Sequence, residues 1–260
     1  WLPVSDLIAE HASNLAKMDT DGLMLSWSLG GYPSPNLEIA HAFAKNPKAN
    51  PEAVLTELAT ERYGKSAAPF ARQAWSAFSN AFREFPYGGS VVYNAPQQYG
   101  PANLLFAEPT GYASTMVGFP YDDLTGWRSI YPAAVFAKQF EKVAQGWKAG
   151  LGFFDKMMAV VEADKQAIAK EDLGVAKAAW LHFASVANQV QFIIARDSIR
   201  NNHLTPSEKK IQIAEINSIL NNEMQLAKAL FEITQSDSRI GFEASNQYYY
   251  VPQDLMEKVI

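Results

Sequence analysis

The chain contains no cysteine among its 260 residues. Disulfide bonds, thiolate metal sites and a cysteine nucleophile are therefore excluded. Its hydrophobic runs are too short for a membrane span. The first residues, Trp1 to Val4, include no Met and show no signal-peptide pattern, so we expect the chain to be part of a longer protein.

Positive charge is also scarce. The chain has 22 Lys and Arg against 27 Asp and Glu, which gives a formal net charge of -5. The densest basic cluster is the pair Lys209 and Lys210. Nucleic-acid partners and anionic membrane surfaces are therefore disfavoured, because both are recognised through concentrated Lys and Arg.

Motifs for cofactors and metals are missing as well. The four histidines, His11, His41, His182 and His203, form no HExxH or His-x-His pattern. Glycine-rich nucleotide-binding loops and the GxSxG elbow are absent. The sequence therefore predicts no cofactor and no metal site.

Helical periodicity dominates what is present. It predicts a mainly α fold: a multi-helix antiparallel bundle with one short N-terminal strand and a long irregular segment. Thr205, Pro206 and Glu208 carry the signature of a helix start, namely a capping box with proline in the first turn. Helices are predicted over residues 5–18, 37–45, 51–63, 65–84, 133–162 (with a break near 150–152), 173–201 and 205–236.

Two regions are predicted along the chain. Residues 1–40 read as the remnant of one β/α unit, with a buried strand over 23–29, and residues 41–260 as a helical domain. The irregular segment, residues 86–132, is rich in proline, glycine and aromatic residues. Loops of this length inside a domain are often functional.

Carboxylates are the remaining candidates for chemistry, since paired Asp and Glu side chains suffice for glycoside hydrolysis. Glu38 follows the predicted strand and loop, where a barrel places its active-site face. The alternative is that Glu38 only stabilises the first turn of a helix. Glu243 is a further candidate, and the alternative is that its carboxylate has only a structural role.

A second group of candidates lies in the irregular segment. Asp122 and Asp123 follow Tyr121 and precede Trp127 and Arg128, and we predict that this group binds a saccharide. Exposed Trp and Tyr rings offer flat apolar platforms to sugars, although single aromatic residues more often fill the core. The alternative for the carboxylates is that one caps a turn and pairs with Arg128.

Four segments carry a family resemblance: residues 23–38, 100–103, 118–128 and 239–250. They resemble the C-terminal part of large bacterial glycoside hydrolases. The stretch 58–75 is also similar to the helical C-terminal regions of α-glucuronidases and α-N-acetylglucosaminidases.

The resemblance implies a (β/α)₈ catalytic barrel upstream, with this chain holding its last repeat and the helical domain behind it. Barrel active sites draw residues from several strands, so no catalytic residue is assigned here. Trp27, Tyr32 and Glu38 are expected at the rim of the saccharide site. The resemblance also implies a periplasmic or extracellular location.

The expected function is therefore a helical region that supports the barrel of a glycoside hydrolase-like protein and contributes to its saccharide site. One alternative is a free-standing module that binds carbohydrate or protein without catalysis. Its glycan affinity would centre on Tyr121, Trp127 or the run Tyr248 to Tyr250. The last alternative is a purely structural domain.

Overall fold

The computed structural model describes residues 1–18, 21–25, 33–116, 118–201, 204–243 and 247–260. Within these ranges the protein is mainly helical, as predicted, and its sheet is a two-stranded antiparallel one. The elements are α1 (Ser5–Ala16), α2 (Pro35–Lys45), α3 (Pro51–Tyr63), α4 (Ala68–Phe82), α5 (Gly89–Tyr93), α6 (Leu124–Trp127), α7 (Ala133–Met158), α8 (Gln166–Arg200), α9 (Pro206–Ser236), α10 (Pro252–Glu257), the strands β1 (Phe242–Glu243) and β2 (Gln247–Tyr248), and the 3-10 turns η1 (Gly100–Ala102) and η2 (Ala163–Lys165).

Local capping signals account for several helix boundaries. The Thr205 hydroxyl accepts from the backbone N–H of Glu208, and the Glu208 carboxylate accepts from the backbone N–H of Thr205, so the predicted capping box is present. Asn50 caps α3 by accepting from a backbone N–H in its first turn. Gly64 ends α3 with φ of 93°, a conformation that favours glycine.

The described chain divides into two compact units. Unit 1 consists of Trp1–Arg83 and Gln145–Ala179, and unit 2 of Glu84–Ala144 and Trp180–Ile260. Residues 1–40 and the helices α3 and α4 thus share unit 1, where α1 packs on α2, α3 and α4. Helices α7 and α8 contribute residues to both units.

Aromatic side chains fill the core of unit 1. The rings of Phe78 and Trp147 are stacked with centroids 4.7 Å apart, and Phe154 meets Phe78 edge-on at 5.6 Å. The rings of Tyr63 and Trp75 lie 5.9 Å apart, and Tyr63 meets Phe154 edge-on at 6.3 Å. All five side chains are inaccessible to solvent, so this cluster removes a large apolar area from water.

The core of unit 2 is also aromatic and aliphatic. Phe140 contacts Phe85 and Phe136 edge-on, with centroids 5.5 and 5.1 Å apart, and Phe183 lies at 6.4 Å. Helices α9 and α10 and the turn η1 pack together in this unit. The irregular segment therefore rests against α9 through η1 and includes the short helices α5 and α6.

The predicted buried strand over residues 23–29 is wrong for the part that the structure describes. Leu23, Met24 and Leu25 are exposed and form no strand. A strand needs a neighbour to satisfy its backbone N–H and C=O groups, and the strands of the described ranges, β1 and β2, pair with each other. Residues 26–29 lie outside the described residues.

The predicted break in α7 near residues 150–152 is also wrong, because the helix runs from Ala133 to Met158. Gly146 and Gly150 lie on the side that faces α4 in unit 1. A Cβ at Gly146 would stand 2.8 Å from Cβ of Ala81, and one at Gly150 would stand 2.5 Å from Cδ1 of Phe78. These glycines thus serve close helix packing. None of the described helices is both long and apolar enough to span a membrane.

Candidate functional site

Glu38 is the one predicted rim residue that the structure describes, because Trp27 and Tyr32 lie outside the described residues. It lies in the first turn of α2, as its structural alternative predicts. Its carboxylate accepts from Nη1 of Arg62 at 3.2 Å and remains about half exposed. Burial raises the pKa of Glu38, while the charge of Arg62 acts to lower it.

Arg62 belongs to a more deeply buried ion pair that the sequence analysis missed. Its Nε and Nη2 donate to the two carboxylate oxygens of Asp172 at 2.6 and 3.0 Å. The Tyr63 hydroxyl donates to the same carboxylate at 2.7 Å. Burial acts to lower the pKa of Arg62, but its hydrogen bonds and ion pair with Asp172 raise it overall. The arginine remains charged, and the cluster joins α2, α3 and α8 within unit 1.

Asp122 is held by a buried partner rather than presented to solvent. It accepts from the backbone N–H and hydroxyl of Thr110 and from Nη1 of Arg196, which lies 2.6 Å away. The side chains of both Asp122 and Arg196 are nearly inaccessible. Burial acts to raise the pKa of Asp122, but the hydrogen bonds from Thr110 and Arg196 lower it overall. These partners occupy the carboxylate that was predicted to bind sugar hydroxyls.

Asp123 has the capping role that the alternative prediction gave to one of the two carboxylates, Asp122 or Asp123. Its Oδ1 accepts from the backbone N–H of Gly126 at 2.9 Å and caps α6. Its Oδ2 accepts from the backbone N–H and the hydroxyl of Ser114 at 2.8 and 2.9 Å. Arg128 donates to the carbonyl oxygen of Tyr131 at 2.7 Å. The arginine that pairs with Asp122 is Arg196 of α8 and not the predicted Arg128.

Trp127 is a core residue, which corrects its prediction as a sugar platform. Its side chain is completely buried. Its indole N–H donates to the carbonyl oxygen of Pro120 at 2.9 Å, which satisfies the polar end of the ring. A saccharide could stack on this ring only if the core of unit 2 opened.

Five aromatic rings in unit 2 form a row that reaches the surface: Tyr112, Tyr121, Phe119, Tyr99 and Tyr249. We call these rings the aromatic surface. Successive centroids are 5.2, 5.9, 5.7 and 6.0 Å apart. Tyr112 and Phe119 are 65% and 62% exposed, and the other three are partly exposed. Of the residues named from the sequence, Tyr121 and Tyr249 lie in this row.

The neighbours of Tyr249 have different environments. Tyr248 is exposed, and its ring packs on Phe242 across the β1–β2 pair at 5.2 Å. Tyr250 is buried, and its hydroxyl lies 3.1 Å from Nε2 of His182. Glu243 is in β1, where it pairs with Gln247. The run Tyr248 to Tyr250 therefore adds one ring to the aromatic surface.

The aromatic surface combines apolar ring faces with phenol hydroxyls at their edges. Such a surface contacts planar apolar faces and hydrogen-bonds polar groups around them. Contiguous exposed apolar patches mark interaction sites. Burial, followed by the nearby Tyr249 and Asp254, raises the pKa of Tyr99, so this phenol stays protonated and remains a donor.

Among the residues that the structure describes, no group of three or more His, Asp and Glu side chains is placed to hold a metal ion. The predicted carboxylates Asp122 and Asp123 serve the loop that carries the rings. Comparison of the chain with protein-family models, with curated proteins and with solved structures gives no match.

Proposed function

We propose that this chain is the C-terminal helical region of a glycoside hydrolase-like protein, beside its catalytic barrel, and that it binds a saccharide without cleaving it. The observation that carries the proposal is the aromatic surface. Its two most exposed rings, Tyr112 and Phe119, stand at the surface next to partly exposed tyrosines. Sugar rings present flat apolar faces rimmed with hydroxyls, and this row matches both features.

The location of the rings supports the same proposal. Phe119 and Tyr121 belong to the segment 118–128, and Tyr249 to the segment 239–250, both of which resemble glycoside hydrolases. Tyr99 directly precedes another of these segments, residues 100–103. Three separate stretches of sequence thus supply neighbouring rings of one surface in unit 2.

The partners of the candidate carboxylates support binding without cleavage. Glycoside hydrolysis requires one carboxyl group as acid and a second as base or nucleophile, both facing the scissile bond. Asp122 is paired with Arg196, Asp123 caps α6, and Glu38 is paired with Arg62. We therefore expect the purified chain to hydrolyse no aryl glycoside, and turnover would contradict the proposal.

A binding titration against a panel of soluble polysaccharides and oligosaccharides tests the proposal directly. We expect Tyr112→Ala and Phe119→Ala each to weaken binding about fivefold, since one aromatic contact is worth on the order of 1 kcal/mol. Tyr87→Ala is the matched control, because Tyr87 is a 79% exposed tyrosine of the same unit that is not part of the row. Equal effects of the three substitutions, or no binding by the unmodified chain, would count against the proposal.

A further inference from the structure

The rings of the aromatic surface are carried by segments with little regular structure. Tyr121 lies in a turn with φ of 52°, a left-handed conformation that is unfavourable for a residue other than glycine. Tyr99 directly precedes Gly100, which has φ of 49°. Tyr249 follows the short strand β2. Such backbone conformations persist only when the surrounding groups hold them in place.

Buried polar side chains hold the segments of Tyr121 and Gly100 in place. Nδ2 of Asn103 donates to the carbonyl oxygen of Tyr121 at 2.8 Å and to Oε1 of Gln189 at 2.7 Å. Nε2 of Gln189 donates to the carbonyl oxygen of Gly100 at 2.8 Å. Asn103 and Gln189 are both buried, so water does not compete for these bonds.

A buried ion pair anchors the same network to α9 and α10. Nζ of Lys258 donates to Oε2 of Glu223 at 3.0 Å and to the carbonyl oxygen of Asn103. The Ser185 hydroxyl donates to the same Glu223 oxygen at 2.8 Å and accepts from Nε2 of Gln189 at 2.9 Å. A continuous chain of hydrogen bonds thus runs from α10 to the backbone of Tyr121.

His182 connects the segment that carries Tyr249 to the segment that carries Tyr99. Its Nδ1 lies 2.5 Å from the carbonyl oxygen of Gln97, and its Nε2 lies 3.1 Å from the hydroxyl of Tyr250, the residue after Tyr249. Its ring also fills the space beside Gly100, where a Cβ would stand 2.6 Å from Cγ of His182. Only glycine fits at position 100.

We propose that Asn103 is a positioning residue that holds the ring of Tyr121 beside that of Tyr112 in the aromatic surface. Gln189 and the Lys258–Glu223 pair hold Asn103 itself in place. This inference rests on the proposed function for its binding consequence. The positioning itself is a property of the chain alone. A network of buried polar groups is directional, and it fixes a backbone carbonyl in one place, which an apolar contact does not do.

The test compares Asn103→Ala with a matched control, Gln139→Ala. Nε2 of Gln139 also makes two hydrogen bonds in unit 2, to the carbonyl oxygen and to Oε2 of Glu84, both at 2.9 Å. Glu84 carries no ring of the aromatic surface and makes no bond to Asn103, Gln189, Glu223 or Lys258. Both variants therefore lose one bond to a backbone carbonyl and one to a side chain, but only Asn103→Ala releases Tyr121.

The first readout is the nuclear Overhauser effect between the rings of Tyr112 and Tyr121, whose centroids are 5.2 Å apart. We expect this signal to weaken or vanish in Asn103→Ala and to persist in Gln139→Ala. The signal persisting in both variants overturns the proposal. If the alanine variant does not fold, the same measurement is made on Asn103→Leu, which has about the same shape as asparagine, leaves no cavity and has no donor.

The second readout is the affinity for whichever saccharide binds the unmodified chain. We expect Asn103→Ala to weaken binding about tenfold and Gln139→Ala to leave it within about a factor of two. Equal affinities of the two variants overturn the positioning role in binding. An unmodified chain that binds no saccharide contradicts the proposed function, and the ring signal still decides whether Asn103 positions Tyr121.

Discussion

Gly150 and Gly152 are two residues apart in α7 and point to different sides of the helix, so they allow a matched test of how closely α7 packs on α4 within unit 1. At Gly152 an added Cβ meets no atom within 4 Å, whereas at Gly150 it meets the ring of Phe78. Phe78 has no free space to move into, since it is fully buried and stacked on Trp147. Gly152→Ala should therefore stabilise the protein by about 0.5–1 kcal/mol through helix propensity alone.

Gly150→Ala gains the same propensity but forces the ring of Phe78 or the helix itself to shift. Overpacking of a core costs about 1–3 kcal/mol, so the net effect should be a loss of about 1 kcal/mol. The two alanine variants should differ by about 2 kcal/mol, with opposite signs relative to the parent chain. Urea unfolding followed by far-UV circular dichroism measures this as a difference of about 1 M in midpoint at unchanged slope. If Gly150→Ala stabilised as much as Gly152→Ala, the close α7–α4 contact would be refuted.

Two further predictions concern ionisable groups. Asp172→Asn should cost about 3 kcal/mol because it removes the buried partner of Arg62, whereas Glu38→Gln should change stability by less than about 0.5 kcal/mol because Glu38 is half exposed; equal losses in urea unfolding would contradict this. Burial lowers the pKa of His182 to about 4 from 6.5, so the unfolded chain binds a proton first as the pH falls. The free energy of unfolding should therefore decrease from pH 6.5 towards pH 4 by up to about 1.4 kcal/mol per pH unit, and a His182→Asn variant with the same pH profile would disprove this cause.

The predictable parts of the fold are those set by local interactions. The start of α9 follows from Thr205, Pro206 and Glu208, whose hydrogen bonds stay within one turn. The strand predicted over 23–29 failed in its described part because pairing depends on a distant partner. The break predicted near Gly150 failed for a related reason, since glycine in a helix signals either a break or a close contact, and only the neighbouring helix decides which.

In the candidate site too, only the contacts between residues close in the sequence were predictable. An aromatic residue in an irregular segment can lie in the core or at the surface. Trp127 is fully buried, whereas Tyr112 is exposed. The sequence offered the Asp123 cap because its partner, Gly126, is three residues away. It offered no sign that Asp122 pairs with Arg196, since the two are 74 residues apart.

The two carboxylates, Asp122 and Asp123, also hold the loop that carries two rings of the aromatic surface. The loop that carries Phe119 and Tyr121 is fixed by side-chain bonds: Asp122 to Thr110, and Asp123 to Ser114. Removing either carboxylate would release the loop and so reduce binding at rings that the carboxylate does not touch. A weakened Asp122 variant is therefore no proof that Asp122 binds sugar. The separation between the rings must be measured alongside the affinity, because only a ligand role would leave that separation unchanged while the affinity falls.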